Sequence, residues 1–203
     1  GMGAPSVVAL DAMGVLFSAA DDVAELLVPC LRERGCTLNR DEIEEVYTAC
    51  SLGALTSAEL WDRCGVDGDD EEYCARHQLT PGTVGLLAEL SSGGYRVLAL
   101  TNDVSEWSLL LRSRFGLTCW VTDWVVSGDI GVRKPDPRAY AALVEAAGAA
   151  PSATHFFDDR PGNVEAARAA GLLAHHVSSW ADVRTVVGST HRRPLAEPRR
   201  TAQ

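Results

Sequence analysis

Short apolar runs alternate with amphipathic stretches over most of the chain. The run Val7–Leu10 is apolar throughout, which is typical of a strand buried on both faces of a parallel sheet. Further strands are predicted at 95–100, 120–126, 155–157 and 172–177, and helices at 83–90, 105–114, 137–147 and 163–170. Alternating strands and helices of this length predict a parallel sheet with helices on both of its faces.

Residues 18–79 show helical periodicity without a strand pattern. Asn39 is placed to cap one helix of this region, and Thr56–Glu59 has the sequence of a capping box. We therefore predict an α/β fold with a Rossmann-like core and an inserted α-helical cap. The predicted boundaries are 1–17 and 80–188 for the core, 18–79 for the cap and 189–203 for a disordered tail.

Charge and composition argue against several functional classes for this chain of 203 residues. A net charge of −10 argues against binding to nucleic acid or to an anionic membrane, because both require a basic surface. No apolar run approaches the roughly 18 residues of a membrane span, and the first residues lack the pattern of a secretion signal. The six cysteines show no zinc-binding spacing. We expect a cytoplasmic monomer or homodimer whose partner is a small molecule.

Polar residues follow three of the predicted strands. They are Asp11, the pair Thr101-Asn102 and the pair Asp158-Asp159, and Lys134 lies in a loop between the last two. Because ligands of open α/β sheets bind at the carboxyl ends of the strands, these residues are expected to converge there. Three neighbouring carboxylates repel one another unless a divalent cation lies among them, and carboxylate oxygens suit Mg²⁺. A carboxylate held in this way is also a competent nucleophile towards phosphorus.

These residues resemble the conserved motifs of the haloacid dehalogenase superfamily. Leu10–Leu16 resembles the first motif, Thr101-Asn102 the second, Lys134 the third, and Phe157–Arg160 the fourth. The order and spacing agree, and the resemblance covers roughly residues 6 to 178, including an insertion similar to a helical cap. Within the superfamily, this set of motifs looks most like the set found in small sugar-phosphate phosphatases.

The resemblance implies a role for each of these positions. Asp11, Lys134 and Thr101 would be catalytic, with Asp11 as the nucleophile. The groups that would hold Mg²⁺ are Asp11, the backbone carbonyl of Met13, Asp158 and Asp159. The residues that would bind the transferred phosphoryl group are Thr101, Asn102, Lys134 and Gly14. The expected substrate is a small phosphorylated metabolite.

Met13 departs from the pattern of the superfamily's phosphatases. Those enzymes carry a second aspartate at this position, which protonates the leaving group and then activates water. A thioether has no proton to give, so acid–base assistance worth roughly 10² to 10⁴ in rate is missing from its usual place. Asp21 and Asp22 lie just beyond the turn and are candidate donors, although acidic residues also stabilise the first turn of a helix.

The sequence leaves two alternatives to a phosphohydrolase open. A metal-independent 2-haloacid dehalogenase also lacks an acid at this position, but it would not need both Asp158 and Asp159. A catalytically inactive, ligand-binding relative is the second alternative. A phosphonate-cleaving relative would need a cap lysine as a Schiff base, and Lys134 is the only lysine of the chain.

Overall fold

The computed structural model of the protein describes residues 5–190, and its centre is a sheet of five parallel strands in the order β3-β2-β1-β4-β5. The strands are β1 (Val7–Leu10), β2 (Arg96–Thr101), β3 (Val121–Val126), β4 (Thr154–Asp158) and β5 (Leu173–His176). The central strand β1 pairs with β2 and β4 in register, so that Leu10 lies between Ala99 and Phe157. The ends of β1, β2 and β4 therefore meet at one edge.

Helices cover both faces of this sheet. The chain between β1 and β2 forms a π-helical turn (Val23–Leu27) and helices α1 (Val28–Glu33), α2 (Arg40–Ser51), α3 (Ser57–Arg63), α4 (Asp70–Cys74) and α5 (Thr83–Ser92). The remaining helices are α6 (Ser105–Arg114), α7 (Ser127–Ile130), α8 (Pro137–Ala147), α9 (Pro161–Ala169) and α10 (Trp180–Thr190). We call residues 23–74 the inserted helices.

Alternation along the strands divides the apolar residues between two clusters. Val7 and Ala9 of β1 point to the face covered by α8 and α9, whereas Val8 and Leu10 point to the opposite face. The cluster that contains Val8 and Leu10 continues without a break into the inserted helices, through residues such as Leu27, Ile43 and Leu60. The inserted helices thus share one hydrophobic core with the sheet.

A half-buried carboxylate joins the inserted helices to α6. Asp70 accepts hydrogen bonds from the Ser57 hydroxyl at 2.7 Å, from Trp61 Nε1 at 2.9 Å and from Trp107 Nε1 at 2.7 Å. Two of these donors belong to α3 and the third belongs to α6. This shared acceptor fixes how the inserted helices sit over the carboxyl edge of the sheet.

The α/β fold expected from the sequence is confirmed. The helix cap predicted at Asn39 and the capping box predicted at Thr56 are present, and both have reciprocal bonds to a glutamate three residues later. All six cysteines are free thiols. Among the described residues, no helix combines the length and apolarity needed to cross a membrane. A disordered tail was predicted for 189–203, but residues 189 and 190 belong to α10, and the rest of that tail lies outside the described residues.

Candidate active site

Three carboxylates meet where β1 and β4 end. Asp11 directly follows β1, Asp158 is the last residue of β4, and Asp159 comes next in the chain. One oxygen from each lies within 4.8 Å of an oxygen from each of the others. Asp11 and Asp158 are buried and Asp159 is half-buried. The convergence expected from the strand ends is therefore present.

Lys134 forms ion pairs with two of these carboxylates. Its buried Nζ donates to Asp11 Oδ1 at 2.7 Å, to Asp158 Oδ2 at 3.0 Å and to the backbone carbonyl of Leu100 at 2.8 Å. The Asn102 side chain holds the Lys134 backbone from both sides, with its Nδ2 donating to the Lys134 carbonyl and its Oδ1 accepting from the Lys134 N–H. The amide of Asn102 is thus engaged in positioning Lys134, a contact that the sequence did not suggest.

Burial and Lys134 act in opposite directions on the carboxyl groups. Burial raises the pKa of Asp11 well above its ordinary value, and the nearby charge of Lys134 offsets this only in part. Burial also raises the pKa of Asp159. For Asp158, burial is outweighed by Lys134 and by hydrogen bonds from the Arg160 N–H and the Asn163 side chain, so the pKa of Asp158 is lowered.

The charge balance of this group fits a divalent cation. Three carboxylates and one ammonium leave an excess negative charge here, and repulsion from Asp158 adds to the effect of burial in raising the pKa of Asp11 and of Asp159. Among the described residues, the buried Asp159 Oδ1 has no hydrogen-bond partner. A hard cation coordinated by oxygens would satisfy both the charge and the unpartnered atom.

Gly14 makes room for the third carboxylate. Its φ is +81°, in the left-handed region, and a Cβ at this position would lie 2.3 Å from Asp159 Oδ2. The Gly14 N–H donates to the Phe17 carbonyl at 2.9 Å, which closes the turn after β1. Gly14 therefore shapes the site through its missing side chain.

Thr101 carries a hydroxyl without a partner. The residue ends β2 and is buried, and its Oγ1 makes no hydrogen bond to any residue that the structure describes. A buried hydroxyl without a partner is costly unless a ligand supplies one. This oxygen is available to a bound group at the same edge of the sheet as Asp11.

A cleft of about 180 Å³ opens beside Asp11, between the sheet and the inserted helices. Asp11, Met13, Asn102 and Lys134 line it from the sheet side. Its other wall includes Asp22 and Tyr47 from the inserted region, and Arg133 and Arg160 from loops. Sequence reasoning missed Tyr47 and Arg133, because it does not show which face of an inserted helix meets the sheet.

The comparisons with known proteins agree with this geometry. Residues 6–171 match the family model of the haloacid dehalogenase-like hydrolases, and the chain belongs to that family. It is 40% identical to the phosphatase MT3486 of Mycobacterium tuberculosis over 111 residues, which is about half of each chain (52% and 49%). It is 28% identical to a phosphoglycolate phosphatase of Pseudomonas syringae over 95% of this chain and 74% of the relative.

Solved structures show the same fold. The enzyme bt-2542 of Bacteroides thetaiotaomicron, a member of the family, superposes with a TM-score of 0.74 at 19% identity, covering 86% of this chain and 94% of that one. Its complex with magnesium and inorganic phosphate superposes with a TM-score of 0.71.

Proposed function

We propose that this protein is a Mg²⁺-dependent phosphohydrolase or phosphotransferase that acts on a small phosphorylated metabolite, with Asp11 as the nucleophile. The observation that carries the proposal is the group of Asp11, Asp158 and Asp159, with Lys134 paired to the first two. Its excess negative charge fits a cation, and its lysine fits an anionic substrate. The phosphatases to which the chain is similar support the same reaction class.

Each residue of the group has a distinct part in this proposal. Asp11, Asp158, Asp159 and the Met13 carbonyl would hold Mg²⁺, which supplies positive charge to the phosphoryl oxygens when it is bound. Lys134 neutralises charge on Asp11 and on the transferred phosphoryl group. Asp11 attacks phosphorus, so that the phosphoryl group passes to its carboxylate before hydrolysis.

The surrounding residues position this machinery. The Thr101 hydroxyl, which has no hydrogen-bond partner within residues 5–190, donates to a phosphoryl oxygen. Asn102 holds the Lys134 backbone, and Gly14 leaves space for Asp159.

The inserted helices act as a cap in this proposal. The cleft is walled by Asp11 and Lys134 on one side and by Asp22 and Tyr47 on the other, so a substrate within it touches both. Its volume of about 180 Å³ favours a small substrate. This supports a substrate choice made by the inserted helices.

The metal-independent dehalogenase reaction is the second candidate. Its supporting observation is Met13, since that chemistry needs no acid at this position. Against it stands the cluster itself, because Asp158 and Asp159 without a cation would repel an anionic acid substrate.

Release of phosphate and of halide separates the candidates. The purified protein is assayed with 4-nitrophenyl phosphate and with 2-chloropropionate, each with Mg²⁺ and with chelator, beside Asp11→Asn. Phosphate release that chelator and Asp11→Asn both abolish supports the proposal. Halide release that persists in chelator supports the dehalogenase, and binding of phosphate without turnover supports the inactive relative.

A further inference from the structure

Two neighbouring aspartates at the start of the inserted helices have different environments. Asp21 is exposed, and its Oδ1 accepts from the Ala24 N–H at 3.0 Å while its Oδ2 pairs with Arg40 at 3.4 Å. Asp21 is therefore used as a helix-capping residue. Asp22 makes no capping bond.

Asp21 and Asp22 both line the cleft beside Asp11 and Met13, but only Asp22 is buried. Its Oδ2 accepts from the Tyr47 hydroxyl at 3.1 Å. Asp22 forms no ion pair among the described residues, so no counter-charge in contact with it compensates the burial of this carboxyl group. We propose that Asp22 is the acid–base residue of this enzyme and replaces the carboxyl group that Met13 lacks. This inference rests on the proposed phosphohydrolase function.

The surroundings of Asp22 suit a group that exchanges protons. Burial raises the pKa of Asp22 to about 6, while the Tyr47 hydroxyl and the charge of Arg133 work in the opposite direction. The neighbouring Asp21 raises it slightly, and Asp22 in turn contributes to the raised pKa of buried Asp103. Groups with a pKa near the working pH are the most effective acid–base catalysts.

The proton balance closes over two steps. In the first, Asp11 forms a bond to phosphorus as the bond to the leaving oxygen breaks, and protonated Asp22 gives its proton to that oxygen. In the second, the Asp22 carboxylate takes a proton from the water that attacks phosphorus, and the bond between phosphorus and Asp11 breaks. Phosphate leaves, Asp11 is again a carboxylate and Asp22 is again protonated.

Tyr47 is the positioning residue for Asp22. Its ring stacks on Trp107 with 6.4 Å between centroids, and the Arg133 guanidinium lies over it at 5.8 Å. The hydroxyl is thus held in place to donate to Asp22. Because that bond stabilises the charged carboxylate, Tyr47→Phe raises the pKa of Asp22.

Two aryl phosphates that differ in leaving-group acidity test the inference. The full chain is assayed with Mg²⁺ on 4-nitrophenyl phosphate and on phenyl phosphate. Asp22→Asn should lower kcat/KM for phenyl phosphate by about 10² or more, and lower it less for 4-nitrophenyl phosphate, whose phenolate leaves without a proton. The matched control is Asp69→Asn, at an exposed helix cap of the inserted region that does not line the cleft. It should stay within about twofold of wild type on both compounds, since proton transfer is not affected.

Two more variants guard against a purely structural effect. Adding Met13→Asp to Asp22→Asn should restore phenyl phosphate turnover, because it returns a carboxyl group to the site. Tyr47→Phe should move the alkaline limb of the kcat/KM profile to higher pH. If Asp22→Asn does not fold, this profile decides, and an unmoved limb overturns the inference.

The outcomes distinguish the inference from the function on which it rests. Equal phenyl phosphate turnover by Asp22→Asn and Asp69→Asn, with an active wild type, overturns the role of Asp22 and leaves the proposed function intact. A wild type that releases no phosphate from either compound with Mg²⁺ overturns both.

Discussion

The ammonium group of Lys134 lies 2.7 Å from Asp11 Oδ1, and both side chains are buried. The only lysine of the chain is thus committed to the carboxylate that we assign as the nucleophile. Asp11 and Asp158 favour the charged form of Lys134, and they outweigh the burial that would lower its pKa, so the pKa of Lys134 is raised. The ammonium form of Lys134 is therefore favoured.

Lys134→Met should remove the positive charge that compensates Asp11 and Asp158. Two buried carboxylates would lose their counter-charge, so we expect the free energy of unfolding at pH 7 to fall by about 3–5 kcal/mol and phosphate release to fall by about 10² or more. The stability deficit should shrink as the pH is lowered, because protonation removes the unpaired charge. Denaturant unfolding of the variant and the wild type at pH 5 and pH 7 measures this stability deficit.

Arg184→Met is the control for this variant. Arg184 pairs with Glu89 at 2.9 Å on the surface, so its loss should cost at most about 1 kcal/mol. Equal stability of the two variants would contradict the buried-pair account.

Gly14→Ala should weaken the binding of Mg²⁺. The new methyl group would displace the Asp159 carboxylate, and φ is left-handed, so we expect a loss of about 1 kcal/mol in stability and a 10- to 100-fold rise in half-saturating Mg²⁺. Gly148→Ala is the matched control, with a φ of +60° and no atom within 4 Å of the added Cβ. It should show the same backbone penalty and an unchanged Mg²⁺ requirement.

Thr101→Val separates function from stability. Because the Thr101 hydroxyl has no partner in the part of the chain that the structure describes, its removal should leave the free energy of unfolding unchanged or slightly higher, while kcat/KM for phosphate release falls by about 10-fold. Thr154→Val should do the reverse, since the Thr154 hydroxyl donates to the Ala150 carbonyl at 3.1 Å far from the cleft-lining residues. A large stability loss in Thr101→Val would show that its hydroxyl has an unrecognised partner.

Buried histidines should make the fold sensitive to acid. Burial lowers the pKa of His77 to about 4, and burial lowers that of His155 to about 4 as well. Below pH 6.5 these two imidazoles bind protons in the unfolded chain but not in the native chain, so their contribution to stability falls as the pH drops from 6.5 to 4. The raised carboxyl pKa values of Asp11 and Asp22 act in the opposite direction. Each histidine accounts for about 3 kcal/mol over this window.

His77→Gln should therefore remove about half of this histidine-dependent loss of stability in acid. His77→Gln combined with His155→Gln should remove most of it. Denaturant midpoints measured at steps between pH 4 and pH 7 give the slope. A wild-type slope in the double variant would assign the acid loss to other groups.

Local patterns predicted most of the core. The apolar run Val7–Leu10 and the helices at 105–114 and 137–147 have the predicted bounds, because burial on both faces and regular periodicity leave a clear signal. Helix α10 was missed, although Trp180, Val183 and Val187 are spaced to bury one face. The polar residues between them obscured the pattern.

The convergence of the carboxylates was predictable for a topological reason. Asp11 and Asp158 each end a strand of one parallel sheet, so the fold class alone brings them together. The contact of Asn102 with Lys134 and that of Tyr47 with Asp22 were not predictable in this way. They depend on how a loop and an inserted helix pack across long sequence separations, which a single sequence does not encode in any local pattern.

Covalent capture at Asp11 tests the central claim most directly. The protein is mixed with 4-nitrophenyl phosphate and Mg²⁺, quenched, reduced with borohydride and digested, since an acyl phosphate is reduced to an alcohol. The account predicts homoserine at position 11, and none in the sample with chelator. Turnover of the substrate with Asp11 unmodified, or with the reduced residue at another aspartate, would contradict it.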